Sequence, residues 1–503
     1  MVKKDITSFR SAIEWLSEQP DEVVTVKGEV DPVYQISGIE KATEGGPVLV
    51  FENIKGYPGV RAAGNVLSKN ERKARIFDVE DPKKLKFKFR DAIKNPLPPE
   101  IVKDAPCQEV VITDGMDAMA TIPFMKQTEG DGGRFLSGGN SFLSGPYFEN
   151  GTHLSMNRMH FRGKDWASIS TTISGHLEET LALIHRGERI PVTINIGTPP
   201  ACMVTAAGAP FHSVLPHGVD EVGIAGALQG TPVEIVKART VDAYAIAKAE
   251  WVIEGYIDSR QKIWETDDAE KSGKQGLLPF FPEWTGYLGR AYKVFKFQAT
   301  AITHRKDRPI FWTPLSFGIE GEVLGNDLRE ATLLELSERM FPGFVKDCCV
   351  FTGLQSAGGM AIQVKKRRAA DEGFQRNLIM VVLGSTNFTR LLVVVDDDVD
   401  IYRPEELIWA IGSRVDPSRD IIHGQGRGHA FMPLERGESE GALEFHFMES
   451  IGFDATVPLA HKWRYERARY PEVDLTQWLS KEQIAKIRSG QTEFARFLAD
   501  TRL

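Results

Sequence analysis

Phe9, Ile13 and Leu16 recur at helical spacing within residues 6–19, and this stripe predicts an N-terminal amphipathic helix. Beyond it the runs shorten and the period drops to two. Residues 22–27, 48–51 and 110–112 read as strands, separated by the loop signals Gly45-Gly46-Pro47, Asn95-Pro96-Leu97-Pro98-Pro99 and Asp104-Ala105-Pro106. From about residue 116 to 315 strands dominate, at 192–196, 233–236, 250–256 and 291–303, and residues 154–160 also have strand character. One clear helix interrupts them. It opens at Ser174-Gly175-His176, carries Glu178 and Glu179 in its first turn, and closes on His185-Arg186-Gly187. Those charges suit the helix dipole at both ends and Gly187 suits the C′ position, with Leu177, Leu181 and Ile184 as the expected buried stripe.

After about residue 330 the texture becomes α/β alternation. Helices at 331–340, 371–384 and 404–414 alternate with strands at 360–364 and 391–395. The unbroken apolar run Leu391 to Val395 is the pattern of a central strand covered on both faces. The polar tail from Thr476 reads as a terminal helix suited to docking on a partner subunit. The expected fold class is therefore α/β (α+β, multidomain): an N-terminal α+β domain at 1–115, a strand-rich domain at 116–315, an α/β domain at 316–475 and a helical tail at 476–503.

Composition narrows the function classes. A chain of 503 residues is too long for one core, and 42% apolar with 26% charged residues is ordinary for a globular protein. A net charge of −8 leaves no excess of Lys and Arg for phosphates, which argues against nucleic acid as a general partner. The four cysteines, Cys107, Cys202, Cys348 and Cys349, form neither a disulfide framework nor a CxxC zinc site. The N-terminus has no apolar h-region and the longest apolar runs are far too short to span a bilayer, so a cytoplasmic protein with no membrane partner is expected.

Candidate chemistry is scattered. No Walker A, GxSxG or HExxH pattern occurs, and Gly424-Gln425-Gly426-Arg427-Gly428 lacks GxGxxG spacing. Gly130-Asp131-Gly132-Gly133 either cradles an anion on exposed amides or is a plain glycine turn. His153, His176 and Glu234 supply two imidazoles and a carboxylate, a donor set suited to Mn²⁺, Fe²⁺ or Zn²⁺. Their separations carry no metal signature, and Glu234, alternating with Val233 and Ile235, equally fits the solvent face of a strand. His176 lies at a helix start, where it faces either solvent or an anion such as phosphate. Arg158, in a mixed apolar strand, needs a carboxylate from the protein or from a substrate. Glu283 follows Phe280, Phe281 and Pro282 and precedes Trp284. It is either an exposed loop glutamate or a dehydrated acid able to hold a proton near neutral pH.

These pieces fall, in order and over nearly the whole length, on segments that resemble the UbiD-like reversible decarboxylases, which use prenylated flavin. The matching segments are TEGDGGRF at 128–135, LSMNR at 154–158, TINIGTPP at 193–200, VDEVGIAGA at 219–227, TPVE at 231–234, AEWVIEG at 249–255, PEWTGY at 282–287, DDDVD at 396–400 and LIWA at 407–410. Within the family, QVKKR at 363–367 with DEG at 371–373 looks most like the gallate and protocatechuate decarboxylase branch.

The resemblance implies a flavin-binding split-barrel domain and a C-terminal oligomerisation domain, in a homodimer or homohexamer. It implies prenylated FMN, supplied by a flavin prenyltransferase, with Mn²⁺ or another divalent metal and a neighbouring K⁺. The family's metal ligands fall on His153, His176 and Glu234, and further cofactor contacts on Ser155, Met156, Asn157, Arg158, Gly175 and Arg390. Arg158 falls where the substrate carboxylate is held and Glu283 where the proton is returned. His429, Leu278 and Leu324 fall on the substrate side.

Two departures stand out. Leu278 occupies the place of a second glutamate, so a Glu-Arg-Glu network is incomplete, and Ser316 to Leu324 has no histidine, which favours a less hydroxylated ring than a catechol or gallate. The implied reaction is reversible non-oxidative decarboxylation of an aromatic or heteroaromatic acid by a carboxy-lyase. An aromatic acyl-CoA thioester decarboxylase, and a non-catalytic flavin-binding subunit of a multi-subunit carboxylase, are the alternatives. Leu278 favours the second of these.

Overall fold

The computed structural model describes the chain except residues 1–2, 150, 173–174, 209–210, 352–357, 387, 428–446, 469, 472, 493–494 and 496–503. The chain divides into two compact units, Met1–Thr332 with Arg427–Phe447, and Leu333–Gly426 with Met448–Leu503.

The first unit begins with the expected amphipathic helix at Phe9–Ser17, which buries Phe9, Ala12, Ile13 and Leu16 and is capped by the Ser8 hydroxyl. Strands β1 (Val23–Val30), β2 (Val48–Ile54) and β3 (Arg61–Gly64) follow, then the short β4 (Glu100–Val102) and β5 (Val110–Ile112). Next come β6 (Leu136–Ser144), β7 (Thr152–Phe161), β8 (Trp166–Ile169) and β9 (Arg189–Ile196), with β10 (Glu234–Lys237) and β11 (Tyr244–Ile246) after two helices. The long β12 (Trp251–Trp264), the hairpin β13 (Pro279–Pro282) and β14 (Leu288–Arg290), β15 (Lys293–His304) and β16 (Ile310–Trp312) complete the unit.

Hydrogen-bonded order in the large sheet is β12-β9-β6-β7-β8-β15-β5, and β12 also pairs with β15. That extra pairing closes six antiparallel strands, β12, β9, β6, β7, β8 and β15, into a barrel, with β5 added on β15. Its interior is filled by alternate residues such as Leu136, Met159, Phe161, Ile194, Ile253 and Phe297, all buried in one cluster. On β7 this alternation sends Met159 and Phe161 into the core and leaves Arg158 and His160 on the opposite face.

The helix after β8 departs from the expected stripe. It runs α-helically over His176–Glu179 and then widens over Thr180–Ile184, where the His185 amide donates to the Thr180 carbonyl five residues back at 2.8 Å. Leu177 and Leu181 are buried as expected, but the extra residue in the turn rotates Ile184 to the surface, where it is 44% exposed.

The second unit carries β17 (Val345–Val350), β18 (Gly359–Val364), β19 (Leu391–Asp396), β20 (Ile421–Arg427) and β21 (Phe447–Ala455), in the order β17-β18-β19-β21-β20. Leu392 to Val395 are fully buried in the middle strand, with the helices Phe374–Ser385 and Pro404–Arg414 packed against it. The mixed α/β, multidomain fold expected from the hydrophobic pattern is therefore present. A helix at Lys481–Gly490 closes the described part of the tail, capped by Ser480 and Gln483. Among the described residues no helix is long and apolar enough to cross a membrane.

Candidate active site

Two buried polar clusters are built on the same strand, β7, from residues five positions apart. The first starts at His153. Thr152, one residue earlier, hydrogen-bonds the Asp220 carboxylate and accepts from the Val222 amide at 2.8 Å, while Asp220 caps the helix Glu221–Gln229. These bonds pin the helix start beside β7 and bring Glu221 to the histidine. Glu221 Oε2 accepts from the Leu154 amide at 2.7 Å and lies 2.9 Å from His153 Nδ1; its Oε1 lies 3.2 Å from His176 Nδ1. Ligand atoms of His153, His176 and Glu221 all fall within 4.8 Å of one another, and all three residues are buried.

This geometry corrects the expected ligand set. Glu234 begins β10, is one-third exposed, and pairs with Lys248 at 2.8 Å, the strand-surface role its alternation with Val233 and Ile235 allows. Glu221 stands in its place, from inside the VDEVGIAGA segment. The sequence signal was a helix start, Asp220 as cap and Glu221 in the first turn.

Both ring nitrogens of His153 and Nε2 of His176 are buried without a hydrogen bond, the 2.9 Å approach of His153 to Glu221 being poorly aligned for one. Buried imidazole lone pairs without donors are costly, and a cation held between two imidazoles and a carboxylate satisfies them. The residues thus fit a divalent metal. Burial alone would raise the Glu221 carboxyl, but the two histidines bring it down to about 2, so it is ionised. His212 stacks on His176 with ring centres 4.4 Å apart, and His217 hydrogen-bonds Thr180 Oγ1 at 2.9 Å; neither was singled out from the sequence.

The second cluster is centred on Arg158. Its Nε and Nη2 reach the two oxygens of Glu265 at 3.0 and 3.2 Å, and its Nη1 reaches Glu283 Oε1 at 2.6 Å. The guanidinium carbon lies 5.3 and 5.1 Å from the ring centres of Phe280 and Phe281. Those rings pack with Phe135, Ala269 and Ala291, the apolar pad beneath the β13–β14 hairpin. Glu283 opens the loop of that hairpin, where its amide donates to the Tyr287 carbonyl and its carbonyl accepts from the Gly286 amide, both at 2.9 Å. It is 4% exposed, and burial pushes its carboxyl up to about 7 against the opposing pull of Arg158. Of the two roles left open for Glu283, the exposed loop residue is excluded.

Glu265 was missed. It immediately follows β12, its Oε2 accepts from the Tyr292 amide at 2.9 Å, and its carbonyl accepts from His160 Nδ1 at 2.7 Å. It lies 107 residues from Arg158, and in the sequence it reads as one of several acids around the helix Asp267–Ser272.

The remaining sequence candidates are placed as follows. Ser155 donates to Asn157 Oδ1 at 2.7 Å, and Asn157 Nδ2 donates to the Ser170 carbonyl at 3.1 Å. Met156 is half-buried on the same strand, and Gly175 caps the helix that carries His176. Leu278 is half-buried with its carbonyl bonded to the Ala291 amide at 2.9 Å. Leu324 is completely buried and presents no surface to a ligand. Arg390 belongs to the second unit, just before β19, and His429 lies outside the described residues. The GDGG segment is a packing turn: the Gly132 amide is spent on the Phe280 carbonyl at 2.9 Å, and Asp131 accepts from the Gln127 and Thr128 amides.

Family models for the 3-octaprenyl-4-hydroxybenzoate carboxy-lyase match three successive parts of the chain: the N-terminal domain at 13–89, the Rift-related domain at 100–317 and the C-terminal domain at 322–455. The chain belongs to the UbiD family. Among its UbiD relatives, gallate decarboxylase of Lactiplantibacillus plantarum is 29% identical over 487 residues, covering 92% of this chain and 97% of the relative. The apo structure of a 3,4-dihydroxybenzoic acid decarboxylase from Enterobacter cloacae superposes with a TM-score of 0.80 at 30% identity, over 94% of this chain and 98% of the other. A dimeric form of the UbiD-class enzyme HmfF from Pelotomaculum thermopropionicum, in complex with prFMN, gives a TM-score of 0.78 at 27% identity, over 94% and 100%. This UbiD-family chain is a carboxy-lyase, and the gallate and protocatechuate branch expected from its motifs is represented among its relatives.

Proposed function

We propose that this chain catalyses reversible, non-oxidative decarboxylation of an aromatic or heteroaromatic carboxylic acid with prenylated FMN as its cofactor. The observation that carries the reading is the buried contact between Arg158 and Glu283 at 2.6 Å, with a carboxyl that burial pushes up to about 7. An arginine and a neutral acid side by side are what a carboxylate substrate and a proton delivery require. Related enzymes that act on gallate and 3,4-dihydroxybenzoate, and one that binds prFMN, support it.

When bound, the prenylated flavin supplies the electron sink that cleavage of an aryl–carboxylate bond needs. Arg158 orients the carboxylate and Glu283, neutral, delivers a proton from its carboxyl oxygen to the ring carbon; in the carboxylation direction Glu283 takes that proton back. His153, His176 and Glu221 would hold the divalent metal, Mn²⁺ in this reading and K⁺ beside it, that anchors the cofactor phosphate. Phe280 and Phe281 keep water from the acid. A flavin prenyltransferase is the cofactor supplier. Exposed Trp463, Tyr470 and Trp478 on the second unit support assembly with further copies of the chain.

Leu278 was the feature favouring a non-catalytic subunit, and Glu265 on Arg158 removes that argument. Co-expression with a flavin prenyltransferase, mass spectrometry of the bound cofactor and a panel of aromatic acids test the proposal. CO₂ release from a free acid by the purified chain is expected. Turnover confined to a CoA thioester, or absent without a partner chain, would replace the reading.

A further inference from the structure

Arg158 faces two carboxylates, and the three groups are buried together. One guanidinium balances one negative charge, so a second ionised carboxylate would leave a net charge away from water, which is strongly disfavoured. One of the acids must therefore hold a proton, and the hydrogen bonds decide which. Glu265 receives Arg158 Nε and Nη2 on its two oxygens, and its Oε2 also accepts the Tyr292 amide at 2.9 Å. The backbone fixes it further: its amide donates to the Tyr292 carbonyl at 3.0 Å and its carbonyl accepts from His160 Nδ1 at 2.7 Å. Three donors thus converge on the Glu265 carboxylate. Glu283 has the single Nη1 contact.

We propose that Glu265, by holding Arg158 side-on, is the positioning residue that keeps the proton on Glu283. The inference rests on the reading of Glu283 as the acid of the reaction and supplies the partner that Leu278 does not. Among the described residues, the charged and titratable groups around Glu283 are Arg158 on β7, Glu265 just after β12 and the Tyr292 phenol before β15; the imidazole of His160, on Glu265, is pushed down by burial. With Glu265 neutralised, the arginine's charge falls to Glu283 alone, and its proton is lost at lower pH.

The test reads protonation directly, in the apo chain labelled with ¹³C at glutamate Cδ. The Glu283 resonance is identified by its disappearance in Glu283→Gln. In the wild-type chain it titrates near neutrality. In Glu265→Gln its midpoint falls by at least about one unit, and in Glu265→Asp, which keeps the charge but retreats by one methylene, by less. If the Gln variant does not fold, the Asp variant still reads the coupling. An unchanged midpoint in a folded Glu265 variant overturns the proposal. The alkaline limb of the pH–rate profile in loaded Glu265→Gln should move with the midpoint. A midpoint that moves while the limb stays would leave Glu265's role intact and overturn Glu283 as the acid.

Discussion

The histidine cluster and the arginine cluster share a strand, a depth and a chemical vocabulary, yet their carboxylates behave oppositely. Glu221, between His153 and His176, is drawn down to about 2, whereas Glu283, beside Arg158, is pushed up to about 7. Both are buried, so desolvation alone cannot separate them. The difference lies in the partners that surround each acid. Glu221 has two imidazoles to itself; Glu283 shares one guanidinium with Glu265. The first arrangement leaves imidazole nitrogens unsatisfied and an acid ionised, which suits a cation. The second leaves a carboxyl raised to about 7. Five residues along one strand thus separate two buried clusters whose carboxyls shift in opposite directions.

The largest break in this contrast is expected from Glu283→Gln, which preserves shape and removes the proton. Turnover should fall by roughly 10³-fold, within the range of a lost general acid, with the cofactor still bound. Steady-state CO₂ release and the flavin absorbance of the same sample measure both halves of that statement. Glu221→Gln should act on the other cluster, weakening Mn²⁺ by at least about 100-fold in equilibrium dialysis. Glu234→Gln should leave metal affinity within about twofold, since that side chain pairs with Lys248 at the strand surface. Equal losses in the two variants would return Glu234 to the group that holds the metal.

Gly289 sharpens the arginine side. A Cβ there would overlap the Glu283 carboxylate, so Gly289→Ala should displace the acid without touching its chemistry. A displacement of about 1 Å can cost on the order of 100-fold, which should appear in turnover while metal affinity is unchanged. The smallest effect is one of pH. Because Glu283 must be protonated to act as the donor, decarboxylation should be fullest below its carboxyl's value of about 7 and decline as pH rises through it. A rate flat from pH 6 to 8 would remove the neutral acid from the reaction.

Much of this could be read along the chain. The apolar spacing of Phe9, Ile13 and Leu16 marks the first helix, and the run Leu391 to Val395 marks the middle strand of the second unit, because local burial writes itself into local periodicity. His153, His176, Arg158 and Glu283 were all singled out from the sequence, and the structure collects them as two pairs around β7. Ile184 was misplaced because a one-residue widening of a helix leaves no mark on hydrophobic spacing. Glu234 and Glu221 are both glutamates next to valines in quoted motifs. Only the Thr152 and Asp220 contacts, between segments 68 residues apart, decide which one meets the histidines.

The sequence by itself determined the family, the kinds of element and the strand that bears the chemistry, since each is carried by contiguous residues. The tertiary structure alone decided which carboxylates complete the two clusters. Barrel closure through β12 and β15 brings Glu265 onto Arg158, and a helix cap brings Glu221 onto His153. The protonation of an acid follows from partners assembled across such distances, because charge and desolvation act through space and not along the chain.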